Sequence, residues 1–543
     1  MSAANGSVRA TGDEAYMDGT GTFHPAERRI ERGAEIAGER AVRVDVCVIG
    51  SGAGGAVVAK ELAEGGARVA MLEEGEWWDT DAFTARPREM TSLLYRDAGQ
   101  ITTLGRPPIL LPLGRAVGGA TLVNSGTCFR TPAPVLERWR TEFGLEELTE
   151  DGLDPYFRRI ERILNVSQVP ARLAGANAAI VRRGVEALGW SGDFIYRNAK
   201  GCVGSGVCAF GCPTGAKQHV GITYVPRAWA AGATTFTGAR AERIERSRGQ
   251  ATGVVARTAG GGTLRVHCDT VIVACGSIHT PLLLARNGLG GDSGELGRNL
   301  SIHPAMAARA FMDEEVEQWR GVPQSYYVDE FAGEGVMLEG AAGPPDYMAM
   351  ALPGAGAEHR ALMQRARNLA QFGVMVSDSS RGHVRSIAGR PLIRYDLNDA
   401  DVAKFKRGLE VLAEIYWAAG AREVLVPVRG VPVLRDGDSG PLRAARVRAA
   451  DLELMAFHPL GTARAGADPA RAVLDADLGV HGAAGVYVAD GSAVPSALGV
   501  NPQITIMALA TRLAHHLLGT PAPAGEPAPE RIAQPRVAAL AHN

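Results

Sequence analysis

At 543 residues the chain exceeds what one hydrophobic core organises, so two connected domains, or one domain with a large second lobe, are expected. Its 46% hydrophobic and 21% charged residues and formal net charge of -2 suit a globular protein and exclude a polybasic nucleic-acid face. No run approaches transmembrane length, and seven cysteines are too few to staple a chain this long by disulfides.

Residues 1–40 lack sustained hydrophobic periodicity and read as an N-terminal arm, mobile or laid over the surface. Arg28-Arg29 is not followed by an apolar stretch, so neither a secretory nor a twin-arginine signal is expected, and a cytoplasmic location follows by default.

Val44 to Ile49 is a continuous apolar run broken by one acid, the pattern of a buried parallel strand. A helix over about 55–65 and a second strand from Arg68 to Leu72 complete a β-α-β unit. The turn between strand and helix reads Gly50-Ser51-Gly52-Ala53-Gly54-Gly55. Its missing side chains let backbone N–H groups approach a pyrophosphate at the helix N-terminus. Glu73 ends the second strand, 23 residues after Gly50, where a carboxylate can accept hydrogen bonds from ribose hydroxyls. This fingerprint predicts dinucleotide binding without choosing between FAD and NAD.

The stretch Gly114-Arg115-Ala116-Val117-Gly118-Gly119-Ala120-Thr121-Leu122-Val123-Asn124 resembles a segment of the glucose-methanol-choline oxidoreductases that runs along the flavin pyrophosphate and ring. Further on, Gly276 to Gly290 is similar to the second signature of that family, with Asn287 where serine is usual. It follows an apolar strand, Thr270 to Ala274, and another such strand spans Gly485 to Ala489. These distant strands are expected to join the first sheet, making the nucleotide domain discontinuous.

Phe457-His458-Pro459-Leu460-Gly461-Thr462 and Gly499-Val500-Asn501-Pro502-Gln503 resemble the two segments that bring the family's catalytic pair to the flavin. Alcohol oxidation needs a group to take the hydroxyl proton, and imidazole suits that task near neutral pH. The resemblance therefore implies His458 as base and Asn501 as the group orienting the substrate oxygen. It also implies cofactor contacts at Gly50, Ser51, Gly52, Gly54, Gly55, Glu73, Arg115, Gly118, Gly119, Asn124, Asp490, Gly491 and Pro502. Asp490, ending the last strand, also reads as a helix cap or turn former.

Cys202, Cys208 and Cys212 stand in C-x5-C-x3-C spacing with Pro213 after the last. Three thiolates could ligate an iron-sulfur cluster, as in related sugar dehydrogenases, or pack as thiols in a glycine-rich loop; no metal ligand is assigned. Between the signatures, Glu358 to Phe372 has helical spacing, Asp401 to Ala419 is amphipathic, and Arg394 to Leu397 and Glu423 to Val428 read as strands. Tyr347 to Leu352 and Phe372 to Val376 supply apolar and sulfur-bearing side chains for a pocket or for a core.

The expected fold is α/β, α+β overall. A discontinuous Rossmann-like FAD-binding domain carries a second lobe built on a mainly antiparallel sheet and helices. Its boundaries are an arm over 1–40 and the FAD-binding domain over 41–302, with a flavin-covering, cysteine-rich insert at about 125–225. The substrate lobe covers 303–440, the catalytic segments and return 441–520, and a flexible Pro/Ala-rich tail 521–543. The expected function is FAD-dependent oxidation of a hydrophobic primary or secondary alcohol, with dioxygen or another acceptor. Sugar or polyol oxidation, an electron-relay subunit and a lyase on the same scaffold are the alternatives. No nucleic-acid partner and no transmembrane segment are expected.

Overall fold

The computed structural model describes residues 27–523, with 16–17, 23–24 and 535 besides. Its centre is a six-stranded parallel sheet ordered Val486–Val488, Thr270–Val273, Val46–Ile49, Val69–Leu72, Thr234–Thr237 and Ile30–Arg32. Segments hundreds of residues apart thus share one sheet. Val46–Ile49 and Val69–Leu72 are buried at every position, which explains their unbroken apolar runs. Helix Gly55–Glu64 packs between helices Val220–Ala230 and Gln503–Leu518. A second, four-stranded sheet lies alongside, built from Ala239–Ser247, Gln250–Thr258, Thr263–His267 and Glu39–Arg43.

The expected arm and tail lie largely outside the described residues. Where the arm is described it is not laid over the surface. Ile30–Arg32 is the edge strand of the parallel sheet, paired with Thr235 to Thr237, and Glu39–Arg43 pairs with Thr263–His267. Edge pairing supplies backbone hydrogen bonds that need no hydrophobic periodicity, so the sequence pattern gives no sign of it.

The second lobe is an eight-stranded antiparallel sheet with Pro304–Phe311, Leu369–Val376 and Val336–Gly340 at its centre. Side chains alternate faces along a strand. Accordingly Phe372, Val374, Val376, Val336 and Leu338 join a core under helices Asp399–Ala418 and Gly175–Leu188. Met375, Met337 and Tyr327, one position out of phase, join the core of the nucleotide half. The two halves therefore meet on one face of this sheet.

Two expectations in this lobe change. The helical spacing from Glu358 to Phe372 holds only for helix Ala357–Gln364; the chain then turns and runs as strand Leu369–Val376, buried throughout. The matches at Leu369 and Phe372 arise because a fully buried strand is apolar at every position, so any period fits it. The strand expected over Arg394 to Leu397 ends at Arg394, in a hairpin Arg390–Arg394 with His383–Ile387. Phe372 to Val376 serves mainly as core, and Met348 of helix Pro345–Ala351 is also buried in apolar packing.

The fingerprint glycines are fixed by backbone approach. A Cβ on Gly50, Gly54 or Gly55 would lie 2.2 Å from Ala274 O, 1.7 Å from Ala489 O or 2.0 Å from Gly50 O. Three strand ends crowd this turn, and only glycine lets them. Gly54→Ala is expected to lower stability by about 3 kcal/mol, the upper end of overpacking costs. Urea unfolding of the purified variant, set against wild type, measures this; a loss under about 0.5 kcal/mol would contradict the packing described.

Candidate active site

Ser51 connects the two nucleotide signatures. Its Oγ donates to Glu73 Oε2 at 2.5 Å and accepts from the Gly118 N–H at 3.2 Å. Glu73 also accepts from the Ser51 and Gly75 N–H groups at 3.1 and 2.8 Å. Its carboxyl is buried, which raises its pKa, while these bonds oppose the rise. Gly118, at φ +102°, and Gly119 bring the second loop over the turn, and a Cβ on Gly52 would meet only Gly119 Cα, at 3.9 Å. Gly52 is thus the open position of the fingerprint, where a phosphate can approach the backbone. These features fit a dinucleotide.

Asp490 organises the neighbouring junction. Oδ2 accepts from the Gly276 N–H at 2.8 Å and from Thr280 Oγ1; Oδ1 accepts from the Ser492 N–H at 2.8 Å and Ser492 Oγ at 2.5 Å. A carboxylate has about four acceptor positions, and protein donors take all of them. Its turn-forming role is therefore plain in the geometry. Ser277 Oγ donates to Pro459 O at 2.5 Å and Thr462 Oγ1 to Ser277 O at 2.6 Å, tying the second signature to the His458 segment. Gly491 lies against that segment, where a Cβ would meet Pro459 O at 2.9 Å. Asn124 Nδ2 donates to Gln503 Oε1, linking the loop after Gly119 to the helix that follows Asn501 and Pro502. Arg115 stands apart, half-exposed, with Nε 3.7 Å from Glu74.

His458 and Asn501 come together although 43 residues separate them. Asn501 Nδ2 lies 3.4 Å from His458 Nε2 and donates to Glu339 Oε2 at 3.3 Å. His458 follows strand Met455–Ala456, which pairs with Pro304–Phe311 of the lobe sheet, and Asn501 precedes helix Gln503–Leu518 of the nucleotide half. Glu339 shares the face of Met337, the one turned to the nucleotide half. Four polar atoms at this meeting point have no partner among the described residues: His458 Nδ1, Asn501 Oδ1, Glu339 Oε1 and His303 Nδ1. Buried polar atoms are nearly always paired, so this group is arranged for a ligand or water.

Sequence reasoning missed Glu339 and His303. Glu339 is buried, and burial pushes its carboxyl up to about 7, opposed by the Asn501 hydrogen bond. It also accepts from Gln324 Nε2, and Gln324 Oε1 accepts from Thr127 Oγ1 at 2.9 Å. His303 Nε2 accepts from the Leu498 and Gly499 N–H groups at 2.9 and 3.2 Å, fixing the turn before Asn501. Its ring packs edge-on to His458, centroids 5.4 Å apart. Burial, with His303 beside it, holds His458 well below the ordinary histidine range; burial, with Arg381, holds His303 at about 3. Both imidazoles are neutral near pH 7.

The three cysteines each have a separate hydrogen-bond partner. Among the described residues no three His, Cys, Asp or Glu side chains converge on one point. Cys208 Sγ accepts from Arg197 Nη2 at 3.2 Å, Cys212 Sγ from the Lys217 N–H at 3.4 Å and Cys202 Sγ from the Gly204 N–H at 3.4 Å. No helix among the described residues is long and apolar enough to cross a membrane.

A parallel sheet with a dinucleotide-type turn is joined to an antiparallel sheet, with a histidine and an amide at their junction, in a two-lobed α/β fold. Residues 91–305 and 378–510 match the N- and C-terminal parts of the GMC oxidoreductase family, and the chain belongs to that family. Its cofactor is FAD. The chain is 44% identical over 474 residues to an uncharacterized GMC-type oxidoreductase of Mycobacterium tuberculosis, covering 87% of this chain and 75% of that one. It is 27% identical to a long-chain-alcohol oxidase of Arabidopsis thaliana, covering 89% of this chain and 68% of that one. Among solved structures it resembles pyridoxine 4-oxidase from Mesorbium loti, with TM-score 0.69 and 19% identity over 87% of this chain and 98% of that one.

Glu339 makes stability depend on pH. The unfolded chain releases this proton near pH 4.5, the folded protein near 7. Between these values the folded state holds the extra proton, so the group's contribution to stability falls as pH rises through the window. Glu339→Gln removes that fall. The stability of the variant relative to wild type should therefore increase by up to about 3 kcal/mol between pH 4.5 and 8, read from urea unfolding; an unchanged difference would show an ordinary carboxyl.

Proposed function

We propose that this chain oxidises the CH–OH group of a hydrophobic alcohol, with His458 taking the hydroxyl proton. The observation that carries the reading is the position of Asn501 Nδ2 between Glu339 Oε2 and His458 Nε2, at 3.3 and 3.4 Å. An amide nitrogen has two N–H bonds. One is held by Glu339; the other makes only a long contact to His458, which a hydroxyl oxygen can replace. Placed there, the hydroxyl donates to His458 Nε2 and accepts from Asn501 Nδ2. The neutral imidazole is in the protonation state of a base, and Glu339 and the His303-braced turn keep the amide in place.

FAD would be held by the turn Gly50, Ser51, Gly52, Gly54 and Gly55, by Glu73, and by Gly118, Gly119, Asn124, Gly491 and Pro502. Asp490 and Arg115 would act from outside that contact surface, the first by shaping the turn before Gly491. Bound FAD supplies the acceptor for the carbinol hydride, and dioxygen or another acceptor restores it. Support for a hydrophobic substrate comes from the long-chain-alcohol oxidase relative and from the side chains near His458. Tyr347 Oη contacts Met455 Sδ at 3.5 Å, Tyr347 packs edge-on to Phe210 at 5.7 Å, and Phe457 is 49% exposed.

The test is His458→Ala, mixed anaerobically with a long-chain alcohol in a stopped-flow spectrometer. The variant should keep its yellow cofactor and lose the rate of alcohol-driven reduction by about 10² to 10⁴. Reduction at the wild-type rate would remove His458 from the reaction.

A further inference from the structure

Arg197 and Lys217 are the two least expected charges in the molecule. They are 2% and 1% exposed, and among the described residues no carboxylate is within ion-pairing distance of either. Their donors go to main-chain carbonyls instead. Lys217 Nζ donates to Leu122 O, Asn124 O and Cys208 O at 2.8, 2.6 and 2.7 Å. Arg197 donates to Ser125 O through Nε at 2.8 Å and through Nη2, which also reaches Cys208 Sγ at 3.2 Å.

Three of the four consecutive carbonyls from 122 to 125 therefore point at these two cations. The same stretch begins at Gly118–Gly119, over the fingerprint turn, and ends at Asn124, bonded to Gln503 beside Asn501. The charges thus lie directly behind the strip between the dinucleotide turn and the catalytic pair. Burying a cation without an anion costs several kcal/mol, which carbonyl dipoles only partly offset. The cost shows at Lys217, whose pKa burial lowers to about 8. A brace for this loop needs donors; it does not need two cations without a carboxylate partner.

We infer that Arg197 and Lys217 form an electrostatic pair that favours negative charge on the FAD behind whose loop they lie. The inference rests on the reading of residues 114–124 as the strip along the cofactor. Neither side chain touches substrate, and both act through the loop and through the field they create in a poorly screened interior. The cysteine segment acquires a role in this arrangement: Cys208 offers Arg197 a polarisable sulfur acceptor, where a carboxylate would cancel the field.

Sulfite is the probe. It adds through sulfur to flavin N5, and its electron pair leaves one negative charge on the ring, with no oxidant or reductant consumed. Its affinity, read from bleaching of the flavin band of the holoenzyme, reports how well the site tolerates that charge. Cys208→Asp supplies the missing carboxylate without removing either cation and should weaken sulfite binding at least tenfold, while Cys208→Ser stays within twofold of wild type. Lys217→Met should weaken it in the same direction, giving a second reading if Cys208→Asp does not fold.

Flavin-loaded Cys208→Asp or Lys217→Met with sulfite affinity within twofold of wild type would overturn the inference. So would loss of FAD from both charge-altering variants while Cys208→Ser keeps it, since the pair would then be a brace alone. If instead 114–124 does not run along the cofactor, Lys217→Met leaves FAD affinity as well as sulfite affinity unchanged, which separates failure of that reading from failure of the charge argument.

Discussion

The site depends on one amide of the nucleotide half held between two acceptors that come from the lobe's antiparallel sheet and from the segment leaving it. Glu339 reaches Asn501 from the antiparallel sheet, and His458 meets it from the segment that leaves that sheet for the nucleotide half. The Glu339 contact exists because strand Val336–Gly340 alternates. Val336 and Leu338 face the helices of the lobe, while Met337 and Glu339 face the nucleotide half. A one-residue slip in the register Leu338↔Val374 and Glu339↔Gly373 would turn Glu339 toward the helices and leave Asn501 unsupported. Gly373, opposite Glu339, adds no side chain to crowd the carboxyl.

A second constraint is how little protein fills the first turn. The ends of three parallel strands press on Gly50, Gly54 and Gly55, and Ser51 then binds Glu73 and Gly118 at once. Asp490, through Gly276, Thr280 and Ser492, joins the ends of the strands at 270–273 and 486–488. These bonds couple pieces of chain from residue 50 to residue 492 into a single nucleotide half. His458 Nδ1, Asn501 Oδ1 and Glu339 Oε1 stand unpaired where that half meets the lobe, the condition under which a bound substrate completes the hydrogen bonding.

Much of this was legible in the sequence, for specific reasons. Parallel strands buried on both faces read as unbroken apolar runs, so Val46–Ile49, Thr270–Val273 and Val486–Val488 could be placed in one sheet despite their separation. His458 and Asn501 are singled out because their flanking residues resemble known segments, and the fold sets Asn501 Nδ2 3.4 Å from His458 Nε2. Glu339 was not legible. In Val336 to Gly340 it is one acid in an apolar run, and only register shows which way it faces. His303 was hidden likewise, since its two bonds go to backbone N–H groups that leave no trace in sequence. Arg197 and Lys217 look like ordinary surface charges until burial is known. The strand Leu369–Val376 was partly mistaken for helix because complete burial erases period.

The most direct measurement of the central claim is an anaerobic visible spectrum of the wild-type protein with FAD bound, taken before and after adding a long-chain primary alcohol, a sterol and a sugar. The account predicts that the flavin band bleaches with a hydrophobic alcohol and persists with the sugar. A band that no alcohol bleaches would contradict the account, because the hydroxyl site between His458 and Asn501 would then serve some other chemistry.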